Sequence, residues 1–261
     1  MKIREITQEI EHFAPLRYQE SYDNCGVQVG HPDDEIRNIL LTIDITEEVI
    51  DEAIQKNCNL IISHHPLLFF GLKKITPDTP IARCVIKAIE NRITLYSCHT
   101  NIDKAPQGVS YRTAIKLGIS VEKALCEEPD ESGFGLGIVG NLPQEEDAYS
   151  FLRRVKETLN IGSIRHTNIP DGKKIKRVAL CGGAGHEFLR NAIQEKADIY
   201  LTSDIKYHQF FDAEDRIILA DFGHFESEQF TKEIFYEIVS KNNAKFATYF
   251  SDSKTNPINY I

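Results

Sequence analysis

The feature that most constrains the fold is a stretch of sequence that occurs twice. Residues 51–63 read Asp-Glu-Ala-Ile-Gln-Lys-Asn-Cys-Asn-Leu-Ile-Ile-Ser, and residues 190–202 read Arg-Asn-Ala-Ile-Gln-Glu-Lys-Ala-Asp-Ile-Tyr-Leu-Thr. Each copy ends in a strand pattern, and a histidine (His99 or His224) comes after the strand that follows it. Any two β-α-β units look somewhat alike. The repeated histidine nevertheless favours an internal duplication.

Strand and helix patterns alternate around both copies. The predicted strands, rich in β-branched and aliphatic residues, are 38–43, 59–63, 93–96, 177–181, 198–202 and 216–220. The predicted helices are one that begins after the N-cap residue Thr46, 81–89, 188–196 and 227–240. This order is typical of a parallel sheet covered by helices on both faces.

The fold class predicted from this pattern is α/β, with two similar three-layer α/β halves. The first half is residues 1–125 and the second is residues 126–261, joined near 122–133. A late strand is predicted at 246–250. The pattern leaves open whether the C-terminal segment packs back on the first half.

Charge and cysteine usage exclude several classes of protein. Lys and Arg number 30 and Asp and Glu number 39, for a formal net charge of −9. General nucleic-acid binding is therefore not expected, since phosphate contacts need a basic surface. Apolar runs such as 67–70 are too short to span a membrane. The N-terminus has no secretory signal and the six cysteines lack C-x-x-C spacing, which indicates a cytoplasmic protein with reduced thiols.

Side chains suited to divalent metals follow three of the predicted strands. His64 and His65 come directly after the strand at 59–63. His99 and Asp103 follow the next strand, and His224 and Glu228 show the same spacing in the second half. Ligands in α/β sheets bind beyond the carboxyl ends of the strands. The five candidate metal ligands are His64, His65, Asp103, His224 and Glu228.

Two adjacent histidines indicate two ions rather than one. Consecutive side chains on an extended backbone point to opposite sides, so His64 and His65 fit two cations more easily than a single one. Glu228 could bridge such a pair. Imidazole and carboxylate suit Zn, Mn, Fe, Co or Ni, and spacing does not choose among them. The alternative is that His64-His65-Pro66 is a turn and the His-x-x-x-acid pairs lie on helix surfaces.

Longer motifs resemble the NIF3-like family, also called the DUF34 or GTP cyclohydrolase 1 type 2 homolog family. The matching stretches occur in the family's order along nearly the whole chain. They are Ser21-Tyr-Asp-Asn-Cys-Gly-Val-Gln-Val-Gly30, Ile62-Ser-His-His-Pro66, His99-Thr-Asn-Ile-Asp103, Asp198-Ile-Tyr-Leu-Thr-Ser-Asp-Ile-Lys-Tyr-His208 and Gly223-His-Phe-Glu-Ser-Glu228. Tyr22 replaces a usual Trp, and Ser203 replaces a frequent Gly.

The resemblance implies a NIF3-like fold and a dinuclear metal centre on the same five ligands, with Glu228 shared between the ions. It also implies a toroidal homohexamer whose metal sites face an internal cavity. The family's name implies ring-opening hydrolysis of GTP with loss of formate. At 261 residues the chain resembles the family's short form.

Other residues are weaker candidates. His99, Asp204 and His208 could support the metal ligands as hydrogen-bond partners, or they could be ordinary surface residues. The loop Gly182-Gly-Ala-Gly185 could hold a phosphate or could be a tight turn between strand and helix. The glycines at 135, 137 and 140 match a dinucleotide fingerprint by letter only, because they lie in a strand pattern. Lys73, Lys74 and Lys206 fit solvated surface residues better than anion-steering ones.

Two functions follow from these residues. The first is a metal-dependent hydrolase, with a nucleotide or phosphoester small molecule as substrate. No sequence feature identifies the substrate, and catalytic residues other than the metal ligands are not assigned. The second is a metal-stabilised binding or regulatory scaffold, or a metal-handling protein without catalysis.

Overall fold

The computed structural model describes residues 1–129, 133–241 and 245–261. The helices are α1 Ile3–Phe13, α2 Glu47–Gln55, α3 Pro80–Glu90, α4 Thr100–Asp103, α5 Val109–Lys116, α6 Ala148–Thr158, α7 Leu189–Gln194, α8 His224–Glu228 and α9 Thr231–Ser240. The strands are β1 Gly26–Val29, β2 Ile39–Thr42, β3 Leu60–Ser63, β4 Thr94–Ser97, β5 Ser120–Glu127, β6 Gly135–Asp147, β7 Arg165–His166, β8 Lys174–Ala184, β9 Ile199–Ser203, β10 Ile218–Asp221 and β11 Thr248–Phe250. The predicted α/β fold class is confirmed. Within the described residues, no helix is long and apolar enough to cross a bilayer.

The chain forms two compact units. Unit 1 consists of residues 1–102 and 231–257, and unit 2 consists of residues 103–230 and 258–261. Unit 1 is therefore completed by a segment that follows most of unit 2 in the sequence. The division of the duplication at residue 125 stays a prediction. The linker predicted near 122–133 includes residues 130–132, which lie outside the described residues.

Unit 1 is built on a mixed sheet with the strand order β1-β4-β3-β2-β11. Strands β2, β3 and β4 run parallel, and β11 pairs parallel with β2. Ser63 at the end of β3 lies opposite Ser97 at the end of β4. The residues that follow these two strands, 64–65 and 98–99, therefore leave the sheet at the same edge.

Local sequence signals explain the helices that cover this sheet. The Thr46 hydroxyl accepts a hydrogen bond from the backbone N–H of Val49 at 3.3 Å, as expected for an N-cap. Thr79 caps α3 in the same way, followed by a proline in the first turn. The apolar faces of both helices pack on β2, β3 and β4 in one buried core. Strands β2, β3 and β4 are buried along their whole length, because helices and loops cover both faces of this part of the sheet.

Unit 2 has the strand order β5-β6-β8-β9-β10-β7. Strands β8, β9 and β10 are parallel, whereas β5, β6 and β7 pair antiparallel with their neighbours. Neighbouring residues of β9 face opposite layers: Leu201 packs in one buried core and Tyr200 in the other. Unit 2 is therefore a three-layer structure. A 3-10 helix, Tyr207–Ala213, joins β9 to β10 where unit 1 has α3.

The single helix predicted at 227–240 is wrong. The structure has two helices, because α8 ends at Glu228 and α9 begins at Thr231. At the break, the Gln229 side-chain amide donates to the backbone oxygens of Leu159 and Glu226, both at 2.9 Å. The apolar spacing continues through the break, which is why the sequence suggested one helix. The early start of α8 places His224 and Glu228 on the same short helix.

Candidate metal centre

Three imidazoles come together in unit 1 at the edge of the sheet described above. His64 and His65 directly follow β3, and His99 comes two residues after the end of β4. Their ring centroids lie 4.8 Å apart for His64 and His65, 5.2 Å for His64 and His99, and 5.4 Å for His65 and His99. One potential ligand atom from each of the three lies within 4.8 Å of the others. This group could hold a metal ion.

Each of these imidazoles is held through Nδ1. His64 Nδ1 lies 3.0 Å from the backbone oxygen of Cys98. His65 Nδ1 lies 2.7 Å from Asp44 Oδ1, and His99 Nδ1 lies 2.9 Å from Asp23 Oδ1. A hydrogen bond from Nδ1–H to an oxygen selects the tautomer with its lone pair on Nε2. Metal-ligating histidines are usually held in this way.

The carboxylates of Asp44 and Asp23 are parts of the site that sequence reasoning missed. Burial alone would raise the pKa of Asp44, but hydrogen bonding and charge attraction from His65 outweigh it and lower that pKa. Burial would also raise the pKa of Asp23, but the hydrogen bond and charge of His99, together with a hydrogen bond from Thr100, keep that pKa well below its usual range. Both groups are therefore ionised at neutral pH. Asp23 lies in the 21–30 motif and Asp44 comes two residues after β2, but spacing does not link either to its histidine.

Unit 2 presents an imidazole and a carboxylate on one short helix. His224 begins α8 and Glu228 ends it, so their side chains lie on the same face. His224 Nε2 lies 3.2 Å from Glu228 Oε2, and His224 Nδ1 lies 2.8 Å from Asp204 Oδ2. The Glu228 side chain is only 3% exposed. His224 is thus held through Nδ1 by a carboxylate, as His65 is.

The two carboxylates around His224 make this position strongly attractive to a cation. Burial would lower the pKa of His224, but the charges and hydrogen bonds of Glu228 and Asp204 raise it to about 11. When His224 is protonated, its Nε2–H faces Glu228 Oε2. A divalent cation that binds His224 Nε2 and Glu228 Oε2 would take the place of that proton.

Asp103 ends α4 and lies near the same part of unit 2. It lines a cavity of about 210 Å³ together with Ser110, Tyr111 and the start of β6. The pKa of the Cys181 thiol is raised above its ordinary range by burial, and also by the charges of Asp103 and Glu228. The charges of both carboxylates therefore disfavour ionisation of the same buried thiol, which lies within β8.

The loop Gly182–Gly185 supports Glu228 rather than presenting an anion site. A Cβ at Gly183 would overlap Glu228 Oε1, and the φ of Gly183 is +65°. The N–H of Gly182 donates to Ser110 Oγ at 3.1 Å, and that of Gly183 to Ser227 Oγ at 2.9 Å. The N–H of Gly185 donates to a threonine hydroxyl at 2.9 Å. Because three of the four N–H groups have protein acceptors, the tight-turn interpretation fits better than a phosphate cradle.

The remaining sequence candidates occupy varied environments. Asp204 contacts His224 as described, whereas His208 is exposed and its ring lies beside those of Tyr207 and Phe211, at 5.0 and 6.4 Å between centroids. The supporting roles of Asp204, His208 and His99 stay predictions. The glycines of the dinucleotide-like pattern lie within β6, as expected from the sequence. The three lysines at 73, 74 and 206 are exposed.

A model of the Duf34/NIF3 (NGG1p interacting factor 3) family matches residues 1–257 of this chain. The chain belongs to the DUF34/NIF3 family. The family membership predicted from the motifs is thereby confirmed, and it covers both units.

Individual members of the DUF34/NIF3 family are similar along most of the chain. The GTP cyclohydrolase 1 type 2 homolog of Clostridium acetobutylicum is 37% identical over 230 residues, covering 87% of this chain and 85% of that protein. The homolog of Lactococcus lactis subsp. lactis is 34% identical and aligns with 98% of each chain. The crystal structure of Staphylococcus aureus protein SA1388 superposes with a TM-score of 0.90 at 28% identity, covering 100% of this chain and 99% of that one. The two-halved α/β fold is shared.

The two departures from the DUF34/NIF3 pattern leave the five candidate ligands intact. Tyr22 is 61% exposed and lies 6.2 Å from the ring of Phe69. Ser203 is buried, and its hydroxyl donates to the backbone oxygen of Gly183 at 2.5 Å. Ser203 therefore helps to hold the loop that packs against Glu228.

Proposed function

We propose that this protein is a metal-dependent hydrolase that holds two divalent cations per chain and acts on a nucleotide or a related phosphoester. The proposed ligands are His64, His65, Asp103, His224 and Glu228, with Glu228 shared by the two cations. One observation carries the proposal. Histidines in both units are held through Nδ1 by oxygen acceptors, which directs Nε2 toward a ligand.

The donor atoms fit divalent transition metals. Imidazole nitrogens and carboxylate oxygens suit Zn, Mn, Fe, Co or Ni, and the described cysteines are free thiols outside the proposed ligand set. In unit 2 the negative charges of Glu228 and Asp204 raise the pKa of His224. A cation bound at this position would neutralise part of that negative charge. In unit 1 the charge of Asp44 strengthens His65 as a donor.

Two bound cations would supply Lewis acidity and lower the pKa of water toward neutrality. The protein's own residues would fix the geometry in which that chemistry occurs. Asp44 orients His65, Asp204 orients His224, and the loop around Gly183 limits the positions that Glu228 can take. We assign His99 a supporting role beside the metal ligands, because Asp23 holds it next to His64 and His65.

The names of the relatives suggest the first reaction to test. Several curated family members are called GTP cyclohydrolase 1 type 2 homologs. We therefore include ring-opening hydrolysis of GTP, with release of formate, in the proposal. Other nucleotides and phosphoesters belong to the same screen, since two divalent cations can also assist phosphoester cleavage.

Metal analysis and turnover test the proposal together. Protein purified without added metal should contain two transition-metal ions per chain by elemental analysis. Glu228→Gln should lower this content, while Glu157→Gln, an exposed change on α6, should not. The metal-loaded protein should hydrolyse one compound of a panel containing GTP, other nucleotides and phosphoesters. Absence of metal, or of turnover where a control enzyme is active, would argue against a hydrolase.

The same variant separates catalysis from a scaffold role. The close packing of Glu228 against Gly183 favours a contribution of the metal ligands to structure as well. If the parent protein holds metal without turnover, and Glu228→Gln weakens assembly and stability, a metal-stabilised binding or regulatory scaffold becomes the better conclusion. Stability, assembly and turnover must therefore be measured separately.

Two expectations accompany this proposal. The family resemblance implies a toroidal homohexamer, which light scattering coupled to size exclusion would detect as a particle of six chains. The cysteine spacing, which lacks C-x-x-C pairs, leads us to expect reduced thiols and a cytoplasmic location, which cell fractionation would test.

A further inference from the structure

One carboxylate of unit 2 lies between the two loops that carry Asp204 and His224. Strands β9 and β10 run parallel, with Thr202 opposite Asp221. Asp204 follows the end of β9 and His224 follows the end of β10, so the two loops leave the sheet at the same edge. Asp221 is the last residue of β10 and is buried. Its carboxylate is therefore placed where both loops begin.

The Asp221 carboxylate accepts a backbone hydrogen bond from each loop. Its Oδ2 accepts from the N–H of Ile205 at 3.1 Å, and its Oδ1 accepts from the N–H of Gly223 at 3.2 Å. Ile205 directly follows Asp204, and Gly223 directly precedes His224. One side chain thus holds the backbone beside each member of a pair whose Oδ2 and Nδ1 lie 2.8 Å apart.

Both loops turn through backbone conformations that need such support. The φ of Asp204 is +57° and that of Gly223 is +87°, which places both residues in the left-handed region. Glycine adopts this region freely, whereas an aspartate adopts it at a cost that surrounding contacts must offset. The hydrogen bond from the Ile205 N–H to Asp221 supplies one such contact directly after the turn at Asp204.

Arg165 on β7 holds the same carboxylate. It lies opposite Asp221 in the antiparallel pair of β7 and β10. Its guanidinium donates to Asp221 Oδ2 and, at 3.0 Å, to the backbone oxygen of Ile205. Burial of a charge is unfavourable without a partner, so Arg165 compensates for the burial of Asp221. Arg165 therefore ties Asp221 to the loop that follows β9.

We propose that Asp221 is a positioning residue for metal binding, because its two backbone hydrogen bonds fix the loops that bring Asp204 against His224. This inference rests on the proposed function, in which His224 is a metal ligand. The hydrogen bond from Asp204 directs His224 Nε2 only while the two loops keep their separation. In this role Asp221 acts through the backbone and does not bind the metal.

The test compares Asp221→Asn with wild type. An amide has only one oxygen, so its NH2 group would face either the N–H of Gly223 or the donors of Ile205 and Arg165, and hydrogen bonds would be lost there. We expect Zn²⁺ affinity, measured by competition with a chromophoric chelator, to fall about 3- to 10-fold, somewhat less than the loss typical of a direct partner of a metal ligand. The visible absorption bands of the Co²⁺-substituted protein should also shift, because they respond to ligand geometry.

Asp198→Asn is the matched control. Asp198 precedes β9 at the other end of that strand, and its Oδ2 accepts from the N–H groups of Lys176 and Arg177 at 2.9 and 3.0 Å. Its Oδ1 lies 2.6 Å from the Lys173 ammonium. The change therefore removes an equivalent carboxylate from the same sheet. It should lower the free energy of unfolding about as much as Asp221→Asn does, but leave Zn²⁺ affinity and the Co²⁺ spectrum as in wild type.

Arg165→Gln is a milder variant, which decides the question if Asp221→Asn does not fold. The side chain of Arg165 is 58% exposed, and its replacement leaves the N–H groups of Ile205 and Gly223 with their acceptor. We expect the Co²⁺ bands to shift in the same direction as with Asp221→Asn, with a smaller fall in Zn²⁺ affinity. Thermal unfolding of the metal-free proteins identifies the variants that fold.

The outcomes distinguish this inference from the proposed function. If wild type binds metal and the folded Asp221→Asn protein, or Arg165→Gln in its place, has the same Zn²⁺ affinity and Co²⁺ spectrum, the positioning role is wrong while the metal site stands. If Asp198→Asn changes both properties as much as Asp221→Asn, a general loosening of the sheet explains the effect and the inference is also overturned. If wild type binds no metal, both proposals are wrong.

Discussion

At the scale of the residue, the chemistry of this protein depends on pairs rather than on single side chains. His65 is paired with Asp44 and His224 with Asp204, in both cases through Nδ1. An imidazole held in this way directs its Nε2 along a fixed line, and this reduces the reorientation needed when a metal binds there, in the case of His224 in place of a proton. The carboxylate partner should therefore matter for metal affinity although it does not contact the metal.

Replacing Asp44 by Asn should show this effect. The amide cannot supply the negative charge that strengthens His65 as a donor, so we expect metal affinity to fall by about 10- to 100-fold. Chelator competition would measure the change. Asp51→Asn is the matched control, because Asp51 pairs with Lys87 at the surface of unit 1, 2.9 Å away. Equal affinity of both variants would contradict the pairing argument.

At the scale of the element, short connections determine where the ligands lie. Helix α8 follows Gly223, whose φ is +87°, and carries both His224 and Glu228 within one and a half turns. The loop after β8 packs its backbone against Glu228 at Gly183. Such an approach is open only to a residue without a side chain. The loop and the helix together fix the carboxylate.

Gly183→Ala should therefore cost more than an ordinary glycine substitution. Gly172 is the matched control, because its φ of +70° is similar but nothing lies within 4 Å of an added Cβ. We expect Gly172→Ala to lower the free energy of unfolding by about 1 kcal/mol through backbone strain alone. Gly183→Ala should cost about 2–4 kcal/mol, because overlap with Glu228 adds to that strain. Urea denaturation measures both, and equal costs would show that Glu228 tolerates the added methyl group.

At the scale of the whole molecule, unit 1 depends on contacts between residues that are distant in the sequence. Residues 231–257 supply α9 and the edge strand β11 to a unit that otherwise ends at residue 102. Glu52 links the two parts of unit 1, since its carboxylate accepts hydrogen bonds from residues about 200 positions away. Burial would raise the pKa of Glu52, but hydrogen bonds from Lys56, Ser251 and neighbouring groups lower it from 4.5 to about 2.

This pKa gives unit 1 an acid-sensitive component of stability. Because the pKa of Glu52 is lower in the folded protein, its contribution is present above pH 4.5 and is lost as the pH falls toward 2. Glu52→Gln should lower the free energy of unfolding by about 2–3 kcal/mol at pH 7 and by clearly less at pH 3. Urea denaturation at both pH values checks this, with the exposed Glu90→Gln as control. A deficit that is the same at both pH values would contradict the expectation.

Much of the fold could be read from local sequence. The Thr46 cap, the buried runs of β3 and β9 and the apolar faces of the helices are short-range signals, and the structure has these elements close to the predicted positions. The spacing of histidines and acids after strands identified candidate ligands because parallel strands end at one edge of a sheet. The apolar spacing continues through Phe230 and therefore predicted one helix, whereas the structure has a break between α8 and α9.

The sequence by itself determined the α/β class, the repeated β-α-β pattern, the family and the set of candidate ligands, because all of these depend on neighbouring residues or on short motifs. Only the tertiary structure decided which groups hold those ligands and the neighbouring His99. Asp44 lies 21 residues from His65, and Asp23 lies 76 residues from His99. Glu52 likewise accepts hydrogen bonds from the hydroxyls of Ser251 and Ser253, which lie far along the chain. Hydrogen bonds between side chains so far apart in the sequence cannot be predicted from residue spacing, because they form only when the packed cores bring the backbones together.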